Sequence, residues 1–161
     1  MSEIMIQNKI FYWTKNFSLK IKKKSVLVGG CFDVFHYGHL FFLEQAKKGS
    51  ESLIVLLESD EFIQIRKRKK PFHTSLQREK ILSHIDIIDY VVVLSQIIDA
   101  EQYKKIVEKI HPKVIAYTFD DPMAQQKMLC AKMVDAQVKV IPYKKGFSSS
   151  LLHSYETISR N

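Results

Sequence analysis

The segment SVLVGGCFDVFHYGH, residues 25–39, contains the change of character that decides the fold. Ser25 to Gly30 is a short, near-continuous apolar run closed by two glycines, the composition of a strand covered on both faces. Beyond it, Leu40, Phe41, Leu43 and Ala46 recur at helical spacing until Lys47, Lys48 and Gly49 supply a basic last turn and a stop. A buried strand that feeds an amphipathic helix is the opening half of a βαβ unit.

The alternation continues along the chain. SLIVLL (52–57), YVVVL (90–94), KVIAY (113–117) and VKVIPY (138–143) repeat the apolar-run signature. Between them, Thr74 with Gln77 forms a capping box ahead of one helix, and Asp99 caps a second that His111-Pro112 closes. Asp120 or Asp121, ahead of Pro122, opens a third running to about Val134, and Ser148 to Ser150 open a last one. These elements predict one doubly wound, Rossmann-like α/β domain with a five-stranded parallel sheet over residues 25–161. In such a sheet right-handed crossovers place ligands at the carboxyl ends of the strands. Residues 1–24 are set apart as an N-terminal extension, an aromatic cluster (Phe11, Tyr12, Trp13, Phe17) followed by IKKK. It reads either as a flap packed on the domain or as a membrane-touching or oligomerising arm, with the flap preferred because its apolar residues are too few for stable membrane anchoring.

Composition narrows the function classes. A chain of 161 residues with 46% hydrophobic and 26% charged residues is neither disordered nor fibrous. Lys and Arg outnumber Asp and Glu by 25 to 17, a net charge of +8 that favours an anionic partner: nucleic acid, a membrane surface or a phosphorylated small molecule. Two cysteines, Cys31 and Cys130, make neither a disulfide framework nor a Cys-based zinc site and suit reduced thiols. No apolar run near the N-terminus has the length of a signal peptide or a membrane span, so a cytoplasmic location is expected.

At the junction of the first strand and helix, Gly29 and Gly30 let the main chain approach a ligand, and the helix start offers free N–H groups to a phosphate. The spacing matches neither G-x-G-x-x-G nor G-x-x-x-x-G-K-[ST]. His36 and His39, three apart, point the same way. A zinc site would want a third ligand, for which only Asp33 is near, so no protein-held metal is assigned. Two imidazoles at this place could instead donate to a triphosphate whose charge grows during attack at the α-phosphorus.

On these residues the chain resembles the cytidylyltransferase-like nucleotidyltransferases, whose signature is an apolar strand, G-x-F-D-x-x-H-x-G-H and a helix. Gly30, Phe32, Asp33, His36, Gly38 and His39 fall in register, and the likeness runs over about residues 25–155. The resemblance implies attack by an acceptor's phosphate oxygen on a nucleoside triphosphate, with pyrophosphate released and no covalent enzyme intermediate. It gives His36 and His39 to the triphosphate and brings Mg²⁺ with the nucleotide, held largely by phosphate oxygens and water. Cys31 lies inside the motif with Gly29 and joins the nucleotide-binding set.

Three further segments extend the likeness. ESDEFIQIRKRKKPFHTSLQRE resembles the family's basic loop before an arginine-bearing helix; Lys69 is taken as catalytic and Arg78 as a phosphate contact. AYTFDDP corresponds to a segment lining the base pocket, where Asp120 is either a polar contact or a helix N-cap. GFSSS resembles G-x-[ST]-[ST]-[ST] and assigns Gly146, Phe147, Ser148 and Ser149 to the phosphates. CTP-using members read R-T-x-G-[IV]-S-T here, whereas this chain has Lys144 and Lys145 and no arginine. Heptose 1-phosphate adenylyltransferases also lack that arginine and share the C-F-D start, which favours ATP and a sugar phosphate. DEF, a basic run and HT look instead like glycerol 3-phosphate cytidylyltransferase, the CTP alternative. A binding module without catalysis is a third reading, although no stacking aromatics or recognition helix accompany the charge, and no nucleic-acid partner is expected. Dimers are common in the family, so a homodimer is an open expectation.

Overall fold

In a computed structural model of the chain, residues 9–21, 24–142 and 146 are described. Among them the strands are β1 (Ile10–Tyr12), β2 (Ser25–Gly30), β3 (Ser52–Leu57), β4 (Tyr90–Val93), β5 (Val114–Thr118) and β6 (Gln137–Ile141). The helices are α1 (Tyr37–Lys47), α2 (Asp60–Arg66), α3 (Ser75–Ser83), α4 (Ala100–Ile110) and α5 (Ala124–Met133). All six strands join one parallel sheet in the order β1-β4-β3-β2-β5-β6. The chain runs outward from β2 through β3 to β4, then returns to the other side of β2 as β5. A crevice therefore opens beyond the carboxyl ends of β2 and β5, the topological switch point of a doubly wound sheet.

The sheet has six strands rather than the expected five, because part of the N-terminal extension pairs with β4. Three residues are too few to show a period, and the strand exists through tertiary pairing. Phe11 meets Tyr90 edge-on at 6.0 Å, Trp13 N–H donates to the Val93 carbonyl at 3.0 Å, and the Tyr12 hydroxyl donates to Glu79 at 2.7 Å. Phe17, in contact with Trp13, is buried in the core.

Side chains alternate across the sheet and sort the core into two layers. On one face Leu27, Ile54, Leu56, Val92, Ile115 and Tyr117 pack on Tyr103, Ile106 and Val107 of α4 and Cys130, Ala131 and Val134 of α5. On the other, Val26, Val28, Leu53, Val55, Leu57 and Val91 pack on Leu43 and Ala46 of α1 and Leu82 of α3. Every residue of β3 is buried, which accounts for its unbroken apolar run.

Helix starts follow the capping chemistry in two places. The Thr74 hydroxyl accepts from Gln77 N–H at 3.3 Å while Gln77 Oε1 accepts from Thr74 N–H at 3.0 Å, and Asp99 with Gln102 does the same for α4. His111 closes α4 in the left-handed conformation with φ +50°. Two readings are corrected. The chain after β3 is not all loop: Ser59 caps α2 by accepting from Phe62 N–H at 3.1 Å. Neither Asp120 nor Asp121 caps α5, which begins only at Ala124 behind Met123 with no side-chain cap. Asp121 instead turns its carboxylate to Met123 N–H and to Lys127, and the turn through Pro122 uses the residues meant for the helix.

Helix α1 is fastened at its carboxyl end. Lys47 Nζ donates to the Ile87 carbonyl at 2.7 Å and to Asp89 at 2.8 Å, and Asp89 also accepts from Leu53 N–H at 2.7 Å. Lys139 of β6 donates to the Lys48 carbonyl at 2.9 Å, a cation placed where the helix leaves its carbonyls free. No described helix is long and apolar enough to cross a membrane.

Candidate active site

A cavity of about 770 Å³ lies over the carboxyl ends of β2, β3 and β5. It has two halves, set by the two faces of the sheet. Toward α1 it is walled by Phe32, His36, His39, Phe41 and Phe42; toward α4 and α5 by Glu58, Ile98, Tyr103, Asp121, Met123 and Lys127. Gly29 lies between them and continues the Leu27 face of β2. A Cβ there would lie 3.9 Å from Lys127 Nζ in ordinary contact, so protein packing does not demand the glycine. Gly30 differs: a Cβ would come within 3.0 Å of the Phe32 ring. The turn that follows holds Phe32 at φ +48° and Val34 at φ +51°, left-handed values that cost a non-glycine residue about 1–3 kcal/mol each.

The two histidines build the start of α1. His36 is the N-cap, and its Nδ1 accepts from Gly38 N–H at 3.1 Å; His39 Nδ1 accepts from His36 N–H at 3.4 Å. This is a capping box made with imidazoles in place of a hydroxyl and a carboxamide. The rings stack with centroids 3.9 Å apart. Burial lowers the His36 pKa, and burial with His36 and Lys67 nearby holds His39 at about 3, so both rings are neutral near pH 7. With each Nδ1 accepting, the single proton of each neutral ring sits on Nε2. The helix start thus fixes two N–H donors beside Gly38 at the cavity wall.

Asp33 lines the cavity while its carboxylate is engaged with the backbone of the basic loop. Buried, it accepts from Phe72 N–H and His73 N–H, both at 3.0 Å, and so fastens the end of the basic loop to the first motif. Burial would raise its pKa, but the two N–H donors, with Lys69 and Arg78 near, hold it below the usual carboxylate value. Lys69 and the neighbouring Lys67 line the cavity, which brings the basic loop to the histidine half.

Arg78, read from sequence as a phosphate contact, is completely buried and turned into the protein. Its Nη1 donates to the carbonyls of Cys31 at 2.7 Å and Glu58 at 2.8 Å, Nη2 to Asp60 at 2.6 Å, and Nε to the His73 carbonyl at 3.2 Å. The guanidinium joins the ends of β2 and β3, the start of α2 and the basic loop, and is a positioning group. Cys31 lines the cavity too, its thiol pKa pushed up by burial. Asp120 lines the cavity from an exposed position. Gly146 adopts φ +87° and is absent from the cavity lining, while Phe147, Ser148 and Ser149 lie outside the described residues.

The sequence reading reached the half of the cavity under α4 and α5 only through AYTFDDP, of which Thr118, Asp120, Asp121 and Pro122 line it, and missed Lys127 and Glu58. Lys127 is buried and pairs with Asp121 at 2.6 Å. Glu58 lies two residues beyond Leu56, on the same face, with Oε2 sealed from solvent and without a hydrogen-bond partner. Burial raises its pKa to about 7 against the pull of Lys127 and Arg78. Strand parity was the available signal, since positions 54, 56 and 58 share a face.

A parallel doubly wound sheet with imidazole donors at its first strand-to-helix turn defines a nucleotidyl-transfer enzyme of the HxGH type. The comparisons agree: residues 27–153 match the model of the Cytidylyltransferase-like family, and the chain belongs to that family. The FAD synthase of Thermococcus kodakarensis is 37% identical over 128 residues, covering 77% of this chain and 83% of its own length. That of Thermococcus sibiricus is 34% identical, with coverages of 77% and 84%. Bifunctional protein HldE of Campylobacter jejuni is 30% identical over 129 residues, 80% of this chain but 26% of HldE. A lipopolysaccharide core biosynthesis protein from Thermoplasma volcanium shares the fold with a TM-score of 0.60 at 23% identity, over 77% of this chain and 98% of its own.

Proposed function

We propose that the protein transfers the adenylyl group of ATP to a small phosphorylated acceptor. An acceptor phosphate oxygen attacks the α-phosphorus, the bond to the bridging oxygen of the β-phosphate breaks, and pyrophosphate leaves with the electron pair. The observation that carries this reading is the pair of neutral, stacked imidazoles whose Nε2–H groups are held ready by the cap of α1. Donors of that kind need no reorganisation as charge grows on the phosphate oxygens, and each is worth roughly 10²–10³ in rate. Lys67 and Lys69 add positive charge on the same side. Aligning two bound phosphates supplies the remainder, so no nucleophile from the protein is required.

ATP is favoured over CTP by the FAD synthase and HldE relatives, since FAD is AMP joined to FMN through a pyrophosphate bond. Mg²⁺ would supply charge neutralisation at the triphosphate. The ion would be held largely by phosphate oxygens and water.

The test is pyrophosphate release with ATP or CTP against FMN, sugar 1-phosphates and glycerol 3-phosphate. Turnover with ATP and one acceptor is expected. Release only from CTP with glycerol 3-phosphate would replace this reading with the cytidylyltransferase alternative, and no release from any pair would end it.

A further inference from the structure

The phosphate chemistry uses only part of the basic run that joins α2 to α3. Of the five cations at residues 66–70, Lys67 and Lys69 line the cavity, whereas Arg66, Arg68 and Lys70 are exposed and do not line it. Among the described residues neither Arg68 nor Lys70 has an ion pair. The acids on either side are engaged elsewhere. Asp60 holds Arg78 at 2.6 Å, Glu61 accepts from Ile97 N–H at 3.0 Å, and buried Glu79 accepts from the Tyr12 hydroxyl at 2.7 Å. No acidic residue occurs between Glu61 and Glu79, so the outward charge of the loop is uncompensated.

Large apolar side chains flank this charge. Ile65 in the last turn of α2 is 56% exposed, Phe72 62%, and Leu76 in the first turn of α3 68%. One exposed leucine is ordinary, but three large apolar groups around a short cationic run make a patch. The segment is also held in one shape. Lys67 N–H donates to the Ile63 carbonyl at 3.0 Å, and Phe72 and His73 N–H both donate to Asp33, so the backbone is tied inward while the Phe72 ring stays outside. Arg78 Nε secures the His73 carbonyl at 3.2 Å.

Cations set among protruding apolar side chains match the chemistry of an anionic lipid surface, where the apolar groups enter the interface and the cations meet phosphate headgroups. A nucleic acid would want exposed aromatic rings interleaved with the charge, and between Arg66 and Leu76 Phe72 is the only exposed phenyl or indole ring. We propose that the outer face of the basic loop, Arg68 and Lys70 with Ile65, Phe72 and Leu76, docks the protein reversibly on an anionic membrane surface. This goes beyond adenylyl transfer and does not depend on it. A loop fixed before contact loses little conformational freedom on docking, so a small patch suffices for transient binding.

Sedimentation of the full chain with vesicles tests this. The parent should co-sediment with vesicles of equimolar phosphatidylcholine and phosphatidylglycerol, stay in solution with phosphatidylcholine alone, and be released by salt at about 0.5 M. Arg68→Asn with Lys70→Gln should weaken partitioning about 25-fold, each cation being worth about fivefold. Asparagine suits the left-handed backbone of Arg68 at φ +52° and keeps the loop intact. Phe72→Ser should weaken partitioning severalfold. Lys105→Gln with Lys109→Gln, which removes the same charge from the exposed face of α4, should change it by no more than about twofold. Equal losses from the two double variants would reduce the binding to net charge, and an unaffected Phe72→Ser would remove its apolar half; either overturns the proposal, as does a parent that ignores anionic vesicles. A parent that ignores vesicles yet binds a single-stranded oligonucleotide through Arg68 and Lys70 would overturn it in favour of nucleic acid. Pyrophosphate release in vesicle-free buffer decides the transfer reading separately, so either can fail alone.

Discussion

The two halves of the cavity differ in how their polar groups are held. On the α1 side each imidazole accepts a backbone N–H on one nitrogen and offers a hydrogen on the other, so its direction is set before any ligand arrives. Under α4 and α5 the buried Lys127 and its partner Asp121 satisfy each other, and among the described residues Glu58 keeps one enclosed oxygen without a donor. A site that stabilises charge is best made of fixed, neutral donors.

Arg78 lies beneath both halves, and removing it is the severest way to break the contrast. Arg78→Ala strips donors from the Cys31 and Glu58 carbonyls and leaves Asp60 without its partner, so we expect a loss of about 3 kcal/mol or more in denaturant unfolding. An unchanged midpoint would mean that the ends of β2 and β3 hold without it. Next come the histidines. Asn keeps an acceptor for the helix cap but lacks the distal N–H, so His36→Asn and His39→Asn should keep the melting temperature near the parent value while turnover falls about 10²–10³-fold. Unchanged turnover would make the imidazoles mere caps. A smaller effect is expected of Asp33→Asn, which weakens the fastening of Phe72 and His73 N–H: kcat should fall severalfold, less than for either histidine, through loosened placement of Lys67 and Lys69, and an unchanged kcat would separate that fastening from the charge on the histidine side.

The subtlest test is in the pH dependence of stability. His39 falls from 6.5 to about 3 on folding, so the unfolded chain binds its proton first and stability rises with pH across that interval. Glu58 rises from 4.5 to about 7, so the folded chain keeps its proton longer and stability falls with pH across that interval. The two halves therefore pull in opposite directions between about pH 4.5 and 6.5. Glu58→Gln should remove the falling part and raise stability at pH 8, and His39→Asn should remove the rising part. Unfolding curves at pH 5, 6.5 and 8 would show both, and a slope unmoved by Glu58→Gln would refute the raised pKa.

What was legible in the sequence was what local chemistry dictates. The runs at 25–30 and 52–57 are strands to the residue, and the capping box at Thr74 and the cap at Asp99 form as read, because each cap depends on neighbours within four positions. The strand at residues 10–12 was hidden because only Val91 to Val93, some eighty positions away, make it one. Arg78 was misread because an arginine in a basic neighbourhood looks like an anion site, while its burial is decided by carbonyls from two other strand ends. Asp121 looked like a helix cap until Lys127, one and a half turns on, claimed it. Glu58 gave no motif at all, and its meaning came from which face of β3 it continues.

Helix α1 spans 11 residues at ~1.5 Å each, so the lashing of Lys47 to Asp89 sits about 12–16 Å along the axis from the imidazoles, at the amino end of the sheet. A helix tied at its foot to the segment before β4 and to β6, and bearing its donors at its head, works as a rod. On the proposed reading, a small tilt introduced at Asp89 or Lys139 would move the Nε2 atoms, and an ångström of misplacement in such an aligned reaction costs about a hundredfold in rate. Distance from the cavity is thus a poor guide to which positions tolerate change, and the quiet end of the sheet holds part of the aim of the active one.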